Sequence, residues 1–170
     1  ARHFYARYCE GRVAFNYGFN TGNIQRFSMS FVGARRLEDL PYHRLALRAP
    51  RLGVTSGLRA RFAGWRESRV ETLDERWDAF FARVAPAYGM LIERDAAYLD
   101  WRYRRCPDGG YFIVACERRG RLAGWAVFRR REERLQWVDA LIDPAQPQVI
   151  ARLLAFALAV PEHRGVQAVE

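Results

Sequence analysis

The sequence predicts an α+β architecture, a mixed and mostly antiparallel sheet with helices layered against it. Three observations predict it. Residues 111–142 hold three short apolar stretches joined by tight turns, as in an antiparallel meander. Two capped segments of helical period precede them. An oily segment at 149–160 is helix-length, and a last short strand follows it at 165–169, so a crossover can set that final pair parallel.

The elements follow in order. Residues 3–10 read as the last turns of a helix closed by Gly11. Residues 12–19 read as a strand, in which Val13, Phe15 and Tyr17 alternate with Ala14, Asn16 and Gly18. Asn20-Thr21-Gly22-Asn23 is turn chemistry that also suits a helix N-cap. A short helix over 24–32 carries Phe27 and Phe31 one turn apart and ends at Gly33. Residues 37–47 form a strand region interrupted by Pro41. The stretch 49–69 is rich in Arg and Gly and weakly periodic, a linker and the best boundary.

A second unit opens near Thr72, where Thr72-Leu73-Asp74-Glu75 fits a capping box. Trp77, Phe80, Phe81 and Val84 then make one helical stripe, and Pro86 stops it. Asp95 can cap a second helix carrying Tyr98, Leu99 and Trp101. After Pro107 the period changes. Residues 111–117 are apolar on both faces, Arg119-Gly120 turns the chain, and 122–128 and 135–142 complete the meander. Pro147 stands where a helix's first turn accepts proline.

Composition excludes several classes. The net charge is +9 and every basic residue is arginine. Acidic residues are mixed in along most of the chain, which argues against a segregated nucleic-acid surface. Cys9, Cys106 and Cys116 are far apart, and His3, His43 and His163 are scattered, so no metal site is expected. The cysteines read as reduced thiols of a cytoplasmic protein. The oily segment contains Arg152 and falls short of the roughly 20 apolar residues that a membrane span needs. The chain begins at Ala1 rather than Met, which reads as a piece of a longer protein. The five tryptophans read as core, and Arg129-Arg130-Arg131 as a solvated strand end.

The order of the second unit resembles the GNAT acyltransferase superfamily, whose fold places two helices before an antiparallel meander and then a crossover helix. Arg94-Asp95-Ala96-Ala97-Tyr98-Leu99-Asp100-Trp101-Arg102-Tyr103, followed by Pro107, resembles a stretch of tandem GNAT-like bacterial proteins. Gly120-Arg121-Leu122-Ala123-Gly124-Trp125 is similar to the superfamily's link between its second and third strands. The first segment resembles the far end of the same fold. The resemblance therefore implies the end of one unit at 1–48, a linker at 49–71, and the start of a second, degenerate unit at 72–170.

It also implies acetyl-CoA as co-substrate and an amine-bearing acceptor, with acyl transfer to the amine. Asn20 or Asn23 would contact the pantetheine arm. Met29 stands where the family often has a tyrosine acid. Asp139, on the third meander strand, would take the amine proton. The preferred alternative pairs Asp139 with one of the many arginines. The family's phosphate loop has the pattern Arg/Gln-x-x-Gly-x-Gly/Ala. Residues 121–126 match it, but they lead into a strand rather than a helix. The corresponding place, 143–148, has no glycine and two prolines, a poor cradle for phosphate. Two other functions stay open: a GNAT-like scaffold or acceptor-binding module without catalysis, and, more weakly, a basic nucleic-acid-binding domain.

Overall fold

The computed structural model describes residues 2–14, 18, 22–38, 43–47, 64–163 and 165–170. The chain divides into two compact units, Ala1–Pro41 and Tyr42–Glu170.

In the first unit, helix α1 spans Arg2–Tyr8, and Gly11 beyond it has φ +69°. Helix α2 spans Gly22–Phe27 and runs into a π-helical turn, Ser28–Val32. Gly33 closes it in the left-handed region at φ 73°, where glycine has no Cβ penalty. Phe27 and Phe31 stack at 5.0 Å, yet both remain exposed. Arg12, Val13, Ala14 and Gly18 are not in a strand. Residues 15–17 and 19, the rest of that expected strand, lie outside the described residues.

The second unit holds a six-stranded sheet in the order β1-β6-β5-β4-β3-β2. The strands are β1 Leu45–Ala46, β2 Trp65–Arg69, β3 Tyr111–Arg118, β4 Arg121–Arg131, β5 Arg134–Ile142 and β6 Ala168–Val169. Every pair is antiparallel except β5 with β6, which is parallel. The crossover that a parallel pair requires is helix α5, Val149–Ala159. Helices α3, Glu75–Val84, and α4, Ala96–Leu99, precede the meander. Helix, helix, meander, crossover helix and parallel strand follow in the order that the sequence led us to expect.

The sheet is covered on both faces. Trp125 and Val127 of β4 pack with Trp77, Phe80 and Val84 of α3, and with Leu99 and Tyr103. Ala126 and Phe128 pack with Val149, Leu153 and Ala157 of α5. Each large side chain so buried is worth about 2 kcal/mol before entropy is counted. Alternation along β3 sends Phe112, Val114 and Cys116 to the α5 side, and Ile113 and Ala115 to the α3 side.

Several expectations need correction. Asp74, not Thr72, caps α3: its carboxylate accepts from the Arg76 N–H at 3.0 Å. Helix α5 begins at Val149, so Pro147 lies in the turn before it, and its carbonyl accepts from the Ile150 N–H. The expected linker at 49–71 includes β2, an edge strand paired with β3. Its pattern hid it, because Glu67 projects toward the α5 side and finds its cation, Arg152, only through the fold. Leu45–Ala46 joins the sheet of the second unit beside β6, rather than the first unit. Two residues carry no readable period.

Gly124 on β4 lets α5 approach. A Cβ there would lie 2.7 Å from Val149 Cγ1 and 3.1 Å from the Leu141 carbonyl oxygen. Gly124→Ala should therefore overpack the core and cost about 1–3 kcal/mol. Urea unfolding would read this as a lower midpoint with an unchanged slope.

Candidate functional site

Strand β5 carries a bulge that decides where Asp139 points. Val127 pairs with Asp139 and Phe128 with Trp137, so Val138 is the extra residue. Strict alternation would put residues 135, 137, 139 and 141 on one face. Instead Leu135 and Trp137 pack on the α5 side, while Leu141 packs on the α3 side. The bulge turns Asp139 inward with Leu141, toward α4. Val138 itself stays 40% exposed.

Two residues meet the carboxylate there. Arg94, in the loop before α4, donates from Nε to Asp139 Oδ1 at 3.1 Å and Oδ2 at 3.2 Å. Its Nη1 donates to the Ile92 carbonyl, which fixes the guanidinium. Tyr103, in the π-helical turn Asp100–Arg104, donates its hydroxyl to Asp139 Oδ2 at 2.8 Å. The Ala140 N–H donates to Oδ1. The Asp139 and Arg94 side chains are 10% and 18% exposed, so this is a largely buried, hydrogen-bonded pair. Burial, and then the bond to Asp139, raise the Tyr103 phenol well above its ordinary range, and it stays protonated. Tyr98 and Tyr111 meet the Tyr103 ring edge-on.

The preferred sequence reading of Asp139, an aspartate paired with an arginine, is the arrangement observed. Which arginine was not legible. Arg94 and Tyr103 lie 45 and 36 residues away. Both fall within the stretch that carries the family resemblance, but nothing local ties them to Asp139. Arg94 holds both carboxylate oxygens, so an incoming amine would have to compete with it.

The turn after β5 is closed on itself. The Asp143 carboxylate accepts from the Ala145 N–H, Gln146 Nε2 and Arg83 Nη1. The N–H groups of Asp143, Gln146, Val149 and Ile150 are bonded to carbonyls, and Pro144 and Pro147 have none. These spent groups offer no row of free N–H donors to a phosphate. Residues 121–126, the pattern match, lie inside strand β4.

The other candidates sit elsewhere. Asn23 is exposed on α2 of the first unit, and Asn20 lies outside the described residues. Met29 is in the π-helical turn of the first unit, 48% exposed. No described group of three or more His, Cys, Asp or Glu could hold a metal ion. No described helix is long and apolar enough to cross a membrane. Beneath α5, Arg152 donates to Glu67 at 2.7 Å, beside the buried Cys116. Burial, and then the nearby Glu67 charge, push that thiol up to about 12, so it is unreactive at neutral pH.

No family model and no curated protein matches the sequence. Among solved structures, the chain is similar to the ribosomal-protein-S18-alanine N-acetyltransferase from Escherichia coli. The two are 16% identical with a TM-score of 0.39, over 60% of this chain and 62% of that one. The match thus spans less than two thirds of that protein. At this identity and score the likeness carries nothing about the reaction.

Two outcomes test the site. Asp139→Asn strands the Arg94 charge and should cost about 3 kcal/mol. Tyr103→Phe removes one bond to a charged acceptor and should cost about 1.5 kcal/mol in the same denaturant titration. Asp143 bears on acid stability. Burial alone would raise its pKa, but Gln146, Ala145 and Arg83 outweigh it and hold the group below 3.8. A depressed carboxyl pKa contributes stability that is complete above the unfolded value and lost as pH falls through the folded one. Thermal unfolding of Asp143→Asn should therefore decline less steeply than the unsubstituted chain below about pH 4.

Proposed function

We propose that the intact protein is an acyl-CoA-dependent N-acyltransferase. In this reading the chain links the end of one GNAT-like unit, within 1–48, to a second that extends to residue 170. The observation that carries it is the second unit's topology. An antiparallel meander passes through a crossover helix to a parallel strand, and a bulge turns a carboxylate inward from the third meander strand.

The chemistry is direct transfer. The acceptor nitrogen attacks the thioester carbonyl, a C–N bond forms, the C–S bond breaks, and thiolate leaves. A backbone N–H stabilises the oxyanion. Asp139 is the candidate to take the ammonium proton, with one oxygen released from Arg94. In the first unit, taken by itself, Asn23 and Asn20 are the candidate contacts for a pantetheine arm. Tyr103, held protonated, keeps Asp139 oriented.

One observation favours the second reading for the second unit taken alone. Its turn at 143–150 has spent most of its N–H groups internally. On that reading the second unit binds the acceptor or serves as a scaffold, and coenzyme binding belongs to the first.

Calorimetric titration of acetyl-CoA into the full-length protein tests both. Binding is expected, and Asn23→Ala should weaken it about fivefold, one hydrogen bond's worth. Heat that survives removal of residues 42–170, the whole second unit, would place the coenzyme in the first unit. A full-length protein that gives no heat ends the acyltransferase reading.

A further inference from the structure

The hairpin between β3 and β4 turns through Arg119 and Gly120 and gathers arginines on one side. Arg118, Arg119 and Arg121 line a cleft of about 310 Å³ with Arg83 from α3, and Leu122 and Gln146 complete its wall. Two of the four guanidinium groups are held in place. Arg83 donates to Asp143 at 3.1 Å and to the Leu122 carbonyl at 2.6 Å. Arg118 lies over the Trp65 ring at 5.1 Å.

Among the described residues, Arg118, Arg119 and Arg121 have no carboxylate partner. Elsewhere in this unit Arg76, Arg94, Arg134 and Arg152 each have one. The nearby carboxylates are committed, Asp143 to Arg83 and Glu117 to Arg76. Like charges crowded into a concavity repel and focus a positive potential, which a bound anion relieves. Guanidinium forks match phosphate oxygens in particular. A cleft admits a compact phosphate group better than the side of a duplex.

We propose that this cleft binds a phosphate-bearing anion. The site is separate from Asp139 and does not depend on the acyltransferase reading. The phosphate can belong to a free metabolite or to the phosphate end of a coenzyme.

The test uses inorganic pyrophosphate and the whole chain in phosphate-free buffer, read by calorimetry. The variant is Arg119→Asn combined with Arg121→Gln. Arg119 has φ +50°, a hairpin position that asparagine fills more easily, so the double variant should fold at least as well. Pyrophosphate should bind the unsubstituted chain and weaken at least tenfold in the variant. Coenzyme A as a second probe separates the sources: an equal loss assigns the phosphate to the coenzyme, an unchanged affinity to another ligand, and either supports the site. Failure of pyrophosphate to bind the unsubstituted chain overturns the proposal. So does equal weakening by Arg131→Gln, at the far end of β4, because the effect would then be net charge alone.

Discussion

Burial of β4 on both faces is the constraint on which the rest of this fold depends. Residues 123–128 are all buried, with α3 and the α4 region on one side and α5 on the other. A strand in that position cannot alternate apolar with polar, and this one does not. Because α5 must lie across one face, it begins beyond one end of β5 and returns the chain to the other. That return is why β6 enters parallel. Gly124 sits where an added Cβ would run into Val149 of the helix.

The bulge at Val138 is a local departure from that pattern. One added residue reverses the side of the sheet that the rest of β5 presents, and so puts a carboxylate in the interior. An interior charge is tolerated only when it is paired and hydrogen-bonded. Arg94, Tyr103 and a backbone N–H satisfy that condition around Asp139. The opposite face of the sheet meets the same condition with Glu67 and Arg152. In each case a segment before the meander supplies one partner, so the pairs also tie β2 to α5 and the α4 loop to β5.

Arginine is the only cation available to this chain, and its placement distinguishes two uses. Where a carboxylate is near, the guanidinium serves as a structural fork, as Arg83 does for Asp143 and Leu122. On the β3–β4 hairpin, Arg118, Arg119 and Arg121 have no carboxylate partner among the described residues. Their convergence with Arg83 on one cleft, rather than the net charge of +9, marks the candidate anion surface.

Much of the second unit was legible in the residues themselves. The stripe of Trp77, Phe80 and Val84, the cap at Asp95, the Arg119-Gly120 turn and the three meander stretches are local patterns, and local patterns survive without tertiary context. That residues 143–148 hold two prolines with no N–H to donate was legible too, in any fold. Strand β2 was hidden by an inward Glu67, and β1 by its two-residue length. The bulge was hidden because 137–142 is apolar at every position but Asp139, so no period marks the extra residue. Which arginine meets Asp139, and which arginines have no carboxylate partner among the described residues, are facts of distance between segments tens of residues apart. The sequence alone therefore determined the class, order and hydrophobic faces of the main elements, which depend on neighbouring residues. Only the tertiary structure decided the partners of the buried charges, because Coulomb attraction and desolvation depend on spatial separation and not on spacing along the chain.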